Sequence, residues 1–208
     1  GTGLYRRTFT LEKPLKDAVL VVDGMGIRAR FEVDGRDLGT HPYPYARLEL
    51  PVGPLAAGEH TVFAAVDNVM EWPRVKLARP YYDFYFYGGF YHGVKIVERQ
   101  PKVFVRTLDY RTGEIEIEVE GRGTERRFVP NFKLWSPEEP NLTTIEVAGR
   151  PVRFGIRQVE ARDRRIYLNG REIFLKGFNR HESEMTSGSA TSETLMLQDS
   201  QRLKAAGG

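Results

Sequence analysis

The chain has 208 residues, 40% of them hydrophobic and 12% aromatic, enough to bury a sizeable core as one large or two smaller domains. Its 31 Lys and Arg stand against 28 Asp and Glu for a net charge of +3. The basic residues are scattered among acidic ones, so the basic stripe of a nucleic-acid binder is missing and no nucleic-acid partner is expected. Cysteine is absent, which excludes a disulfide framework and thiolate chemistry and fits a reducing, cytoplasmic compartment. No apolar run approaches the roughly 20 residues that span a bilayer, and the N-terminal GTGLYRRTF has no signal-peptide core, so a soluble protein without a membrane partner is expected.

In chain order, Tyr5 to Thr10, Ala18 to Val22, Ala29 to Val33, His60 to Val66, Gly93 to Val97, Val103 to Leu108 and Glu114 to Glu120 read as short strands. They are rich in Val, Ile, Phe and Thr and are punctuated by Gly, Pro and Asp. Ile115, Ile117 and Val119 alternate with glutamates, which puts one face of that strand in a core and the other in water. Asp34-Gly35 and Asn169-Gly170 are two-residue type I′ hairpin signals, because both turn positions need positive φ. Many short strands at close spacing predict a sandwich or barrel. One helix is predicted, Ser192 to Ala206: Ser192 caps it, Glu193 sits in the first turn, Arg202 and Lys204 lie in the last, and Gly207-Gly208 stop it.

Three motifs invite a functional reading. Gly24-Met25-Gly26-Ile27-Arg28-Ala29 follows the strand AVLVVD and matches a dinucleotide-binding pattern, but that site needs a helix opening at the turn. Arg28 to Val33 alternates like a strand instead, so a β-turn is expected and no nucleotide cofactor. His181-Glu182 begins like a zinc-protease H-E-x-x-H, yet Met185 occupies the second histidine's place, and no metal site is expected. Tyr81 to Tyr87 is aromatic except for Asp83, a carboxylate that either caps a turn or is held for use. The sequon Asn141-Leu142-Thr143 matters only in a secreted eukaryotic protein.

A constellation is more telling than any of these. The chain offers YRRTF (Tyr5 to Phe9), FEVDGRDLGTH (Phe31 to His41), YYDFYFYGGFYHGV (Tyr81 to Val94), KLWSPEEPNL (Lys133 to Leu142), FGIRQVE (Phe154 to Glu160), IYLNGREIFLKGFNRHE (Ile166 to Glu182) and LMLQDSQRLK (Leu195 to Lys204). In wording, order and approximate spacing it resembles glycoside hydrolase family 2, the β-glucuronidases, β-galactosidases and relatives.

The resemblance implies a mostly β fold in three parts. Residues 1–98 would be a jelly-roll sugar-binding domain, 99–157 an immunoglobulin-like sandwich, and 158–208 the start of a catalytic (β/α)8 barrel with its first strand at Ile173 to Gly177 and its first helix. The middle part is short: an immunoglobulin-type sandwich takes about 100 residues, and Pro101 to Arg157 supplies little more than half that span. The barrel is truncated, since it needs roughly 250 residues. Family members are retaining enzymes whose two glutamates face each other at about 5 Å, and both come from later barrel strands. No catalytic residue is therefore expected in this chain, which alone should be inactive: the parent protein continues past Gly208, or a partner chain supplies the remainder, or the chain is an inert fragment.

Barrel active sites form where strands end, so Asn179, Arg180, His181 and Glu182 would sit at the substrate. The resemblance makes His181 a sugar-binding histidine with Arg180 and Glu182 as its neighbours, and makes Asp83 an aspartate that the jelly roll inserts into the same subsite, although Gly93 stands where an arginine is usual. The bland alternative is that Arg180 and Glu182 pair to lock the loop. Arg157 is expected to be structural, bridging sandwich and barrel, and Trp135 to be core. The implied ligand is a terminal β-glycoside, glucuronide before galactoside, and a galactosidase's Mg2+ or Na+ would be ligated elsewhere. A non-catalytic carbohydrate-binding module is the competing reading, and a homo-oligomer of the complete enzyme is compatible with the resemblance.

Overall fold

The computed structural model describes residues 1–43, 45–69 and 87–207. They divide into two compact units, residues 1–99 with 178–208, and residues 100–177.

The first unit is built on two antiparallel sheets. Strands β1 (Thr2–Leu11), β6 (Gly58–Asp67), β3 (Arg28–Val33) and β4 (Arg36–His41) form one in that spatial order; β5 (Leu48–Leu55), β2 (Leu15–Val22) and β7 (Val94–Glu98) form the other. Alternation sets the core. Ala29, Phe31 and Val33 of β3 and Ala64 and Val66 of β6 pack with Ala18, Leu20 and Val22 of β2 and with Leu48, Leu50, Val52 and Leu55 of β5. The central strand β2 is buried at every position from Ala18 to Val22, which is why its sequence is a continuous apolar run rather than an alternating one. Asp34 and Gly35, at φ 50° and 78°, make the expected turn between β3 and β4.

That turn is stapled by a histidine. Asp34 Oδ2 lies 2.6 Å from His60 Nδ1, the ring's Nε2 lies 2.8 Å from the Ala56 carbonyl oxygen, and Asp34 Oδ1 accepts from the Thr61 N–H at 2.8 Å. With an acceptor at each ring nitrogen the protonated imidazolium is favoured: the Asp34 carboxylate, then the Ala56 carbonyl, raise the His60 pKa above its ordinary 6.5. The same contact, followed by the Thr61 amide, holds Asp34 below its ordinary 3.8. The histidine's contribution is complete below pH 6.5 and is lost as pH rises through its raised value. The aspartate's is complete above pH 3.8 and is lost as pH falls through its lowered value. Melting temperature followed against pH should therefore decline on the alkaline side through the raised histidine value, and His60→Gln should remove that component; an unchanged profile would show that the staple contributes nothing.

The second unit carries three small sheets. Strands β8 (Val103–Asp109), β9 (Glu114–Val119) and β10 (Gly123–Phe128) form an antiparallel meander, and β11 (Thr143–Val147) pairs with β12 (Arg150–Phe154). Their inner residues share one core, with Ile115, Ile117 and Val119 of β9 against Val147, Ile156 and Val129. Glu116, between Ile115 and Ile117, pairs with Arg106 and lies 4.0 Å from Arg126, which also faces Glu114 at 3.7 Å. Five strands stand here where an immunoglobulin constant-type sandwich has about seven, so the shortening read from the sequence is a smaller number of strands. A third sheet, β13 (Val159–Arg162), β14 (Arg165–Leu168) and β15 (Arg171–Ile173), belongs to the same unit as residues 100–158. Its β14–β15 turn is the expected Asn169-Gly170, at φ 50° and 78°.

Two expectations are corrected here. The strand predicted for Ile173 to Gly177 ends at Ile173, and residues 174–177 take no part in a sheet among the described residues. Phe174 and Leu175 are 85% and 67% exposed, since no strand among the described residues pairs with this stretch. Trp135 is half-buried rather than core: the Arg157 guanidinium covers one face of its ring at 4.3 Å from the centroid, and Gly155 packs closely on it. Arg157, expected to bridge sandwich and barrel, makes this stack within the second unit.

Candidate functional site

The polar run begins after the third sheet and belongs to the first unit from Phe178 onward. Asn179 is exposed, as are His181 and Glu182. Arg180 is half-buried, and its Nε and Nη2 donate to Asp199 Oδ2 at 3.0 and 2.7 Å. Asp199 lies on α1 (Glu193–Ala205), so this charge-assisted fork ties the run to the helix. Arg180 does not pair with Glu182 as the bland alternative had it; its carboxylate partner comes from 19 positions downstream. The helix is capped as predicted: Ser192 Oγ accepts the Leu195 N–H at 3.2 Å, and Glu193 occupies the first turn.

Between run and helix the chain makes a tight polar turn. Glu184 Oε2 accepts from Thr186 Oγ1 at 2.6 Å, Ser187 Oγ at 2.7 Å and the Ser187 N–H at 2.9 Å. These donors, the Thr186 hydroxyl first, hold the Glu184 carboxyl down to about 2, so it is ionised throughout the neutral range. Glu184 and Gly188 exchange backbone hydrogen bonds of 2.9 and 2.8 Å, which closes the turn. Gly188 has φ 58°, and a Cβ there would meet the Tyr87 ring at 2.8 Å. The turn is seated on Tyr87.

Tyr87 is itself fixed within the first unit. Its carbonyl accepts from the Tyr91 hydroxyl at 2.7 Å, Tyr91 stacks on Tyr45 with centroids 5.2 Å apart, and burial, then Tyr45, push the Tyr91 phenol above its ordinary range. The Gly26 N–H donates to the Gly89 carbonyl at 2.6 Å, the Tyr91 N–H donates to the Gly24 carbonyl at 3.1 Å, and Met25 bridges Phe90. The Gly24 to Ala29 motif is therefore a turn followed by β3, as expected, and its glycines serve a backbone crossing: a Cβ on Gly26 would lie 3.2 Å from Gly88 Cα. Asp83 and its neighbours Tyr81 to Phe86 lie outside the described residues.

The structure thus brings Asn179, Arg180, His181 and Glu182 into one stretch, immobilised by Asp199 on one side and by the turn on Tyr87 on the other. Exposed imidazole, amide and carboxylate groups on a fixed backbone can hydrogen-bond a polyhydroxylated ligand. Among the described residues no group of three or more His, Asp or Glu is placed to hold a metal ion, and no helix is long and apolar enough to cross a membrane. Asp199 and Tyr87 were not singled out as site residues; only the fold shows what they hold.

The described residues make two β-rich units with a capped helix after a polar loop. Residues 159–207 match the family model described as glycosyl hydrolases family 2, TIM barrel domain. That match concerns this C-terminal stretch alone, and the chain as a whole has the fold of the corresponding part of solved structures. A β-glucuronidase from an uncultured Clostridium species superposes with a TM-score of 0.80 at 21% identity, covering 98% of this chain and 43% of that one. A family 2 β-galacturonidase of Eisenbergiella tayi, bound to galacturonate, gives 0.71 at 24% identity over 98% and 44%. In sequence, a candidate β-glucuronidase of Formosa agariphila is 26% identical over 98% of this chain and 24% of its own length. That alignment extends over 256 residues against the 208 of this chain, so the relative carries additional residues within the matched stretch. The chain spans about a quarter of this curated relative and under half of the solved ones.

Proposed function

We propose that this chain supplies the sugar-binding modules and barrel opening of a retaining exo-β-glycosidase acting on terminal β-linked sugars, a glucuronide before a galactoside. The observation that carries the reading is the seating of the Glu184–Gly188 turn on Tyr87. It holds the run 179–182 to the same body as Tyr87, which follows Asp83 by only four positions in sequence. In this reading His181 and Asp83 hydrogen-bond sugar hydroxyls, with Asn179 and Glu182 beside them. Arg180 fixes the backbone of His181 through Asp199. These contacts tighten as the sugar ring flattens toward an oxocarbenium ion, which is where they raise the rate. The acid/base and nucleophilic glutamates come from barrel strands beyond residue 208.

The β-galactosidase alternative is supported by relatives of that name, among them one of Streptococcus thermophilus at 26% identity over 96% of this chain. Incubating the 208-residue chain, and a version extended beyond Gly208, with nitrophenyl β-glucuronide and nitrophenyl β-galactoside tests both. Hydrolysis by the extended version alone is expected, faster on the glucuronide. Turnover by the 208-residue chain would overturn the assignment of catalysis to later strands, and none by the extended one would favour a binding module.

A further inference from the structure

The middle unit holds an arginine-lined cleft that the proposed chemistry leaves unused. It lies where β8, the edge strand of the meander, faces β12 and the stretch after it, and has a volume of about 820 Å³. Arg106 of β8, Arg153 of β12 and Arg157 line it, together with Thr107 and Gln158, and no Asp or Glu does. Arg106 is paired with Glu116. Arg153 points outward, because Val152 and Phe154 on either side of it pack against the core, and among the described residues no carboxylate pairs with it or with Arg157. The backbone is tied across the cleft by the Arg157 N–H, which donates to Thr107 Oγ1 at 3.2 Å and leaves that hydroxyl's own proton to donate elsewhere.

Arg153 and Arg157 bring positive charge to this concave volume without a carboxylate partner among the described residues, and an anion entering it can accept their N–H donors. A carboxylate fits this geometry better than a monodentate acceptor. The Gln158 amide and Thr107 hydroxyl add the neutral hydrogen bonds a sugar ring needs. Leu142 and Val159, 46% and 62% exposed, add apolar wall for its C–H face. We propose that this cleft binds a uronate residue of an acidic oligosaccharide, its carboxylate held by Arg153 and Arg157. The identification of the anion as a sugar rests on the glycosidase reading above; the cationic site itself does not.

The test titrates the 208-residue chain, carrying Trp72→Phe so that Trp135 is its sole indole, with a β-1,4-linked triglucuronate. Cellotriose serves as the neutral counterpart and acetate as the bare carboxylate. Because Arg157 stacks on Trp135, a ligand that draws on this guanidinium should change the indole emission. The expected results are saturable binding of the triglucuronate that weakens with added salt, no binding of cellotriose, and at least about a tenfold loss of affinity in Arg153→Glu, roughly 1.4 kcal/mol. If Arg153→Glu fails to fold, Arg153→Gln carries the same comparison with loss in the same direction. Absence of binding, equal binding of cellotriose or acetate, or unchanged affinity in the Arg153 variants would overturn the proposal. The nitrophenyl glycoside assay of the extended version reads the glycosidase assignment separately, so either can fail without the other.

Discussion

His181→Ala in the extended protein is expected to lower kcat/KM on nitrophenyl β-glucuronide by about a hundredfold while leaving the melting temperature nearly unchanged. His181 is exposed, so removing its imidazole opens no cavity. On the proposed reading, what disappears is a hydrogen bond to the sugar that is worth most when the ring carries positive charge. A hundredfold corresponds to about 2.7 kcal/mol of transition-state stabilisation, the scale on which single preorganised donors act. Asp83→Ala should act in the same direction. The decisive readout is the split between constants: a loss confined to KM would make His181 a uniform binding contact, and unchanged kinetics would remove it from the subsite. A large drop in melting temperature would instead make it a structural residue.

Phe31→Ala should produce the largest change in stability, about 3 to 5 kcal/mol. Its side chain is fully buried in the middle of the four-stranded sheet and lies against Phe90 and His41, with ring centroids 6.1 and 6.3 Å away. Deleting the ring removes its transfer energy and leaves a void that two packed sheets cannot close, since β3 is held by β6 on one side and β4 on the other. Domains of this size are stable by only about 5 to 15 kcal/mol, so the denaturation midpoint should fall markedly. A shift below about 1 kcal/mol would show that the site repacks.

Much of the fold was legible because it is written in local pattern. The strands at Tyr5 to Thr10, Ala18 to Val22 and Glu114 to Glu120 appear with boundaries moved by at most three residues, and both Asx-Gly turns are where positive φ was required. The strands not foreseen break those patterns for physical reasons. Leu48–Leu55 carries Pro51 and Pro54, tolerable because β5 is an edge strand. Gly123–Phe128 is polar almost throughout because most of it is exposed. The turns at Ala148-Gly149 and Asp163-Arg164 place Ala148 and Arg164 at positive φ, which neither residue's preference announces. Of the candidate site, the run 179–182 could be picked out from its polarity, but the Arg180–Asp199 fork and the seat of Gly188 on Tyr87 join positions 19 and about 100 residues apart. Sequence spacing carries no trace of such contacts.

The crossing of the 24–26 and 88–91 backbones has a consequence for how such a protein can diversify. With no room for a side chain on Gly26 where it passes Gly88 and Gly89, and with Tyr91 locked between Tyr45 and the Tyr87 carbonyl, the downstream root of the segment 70–86 is a rigid socket. A methyl on Gly26 would press on the Gly88 and Gly89 backbone, so change at this crossing is tolerated more readily at positions other than its glycines.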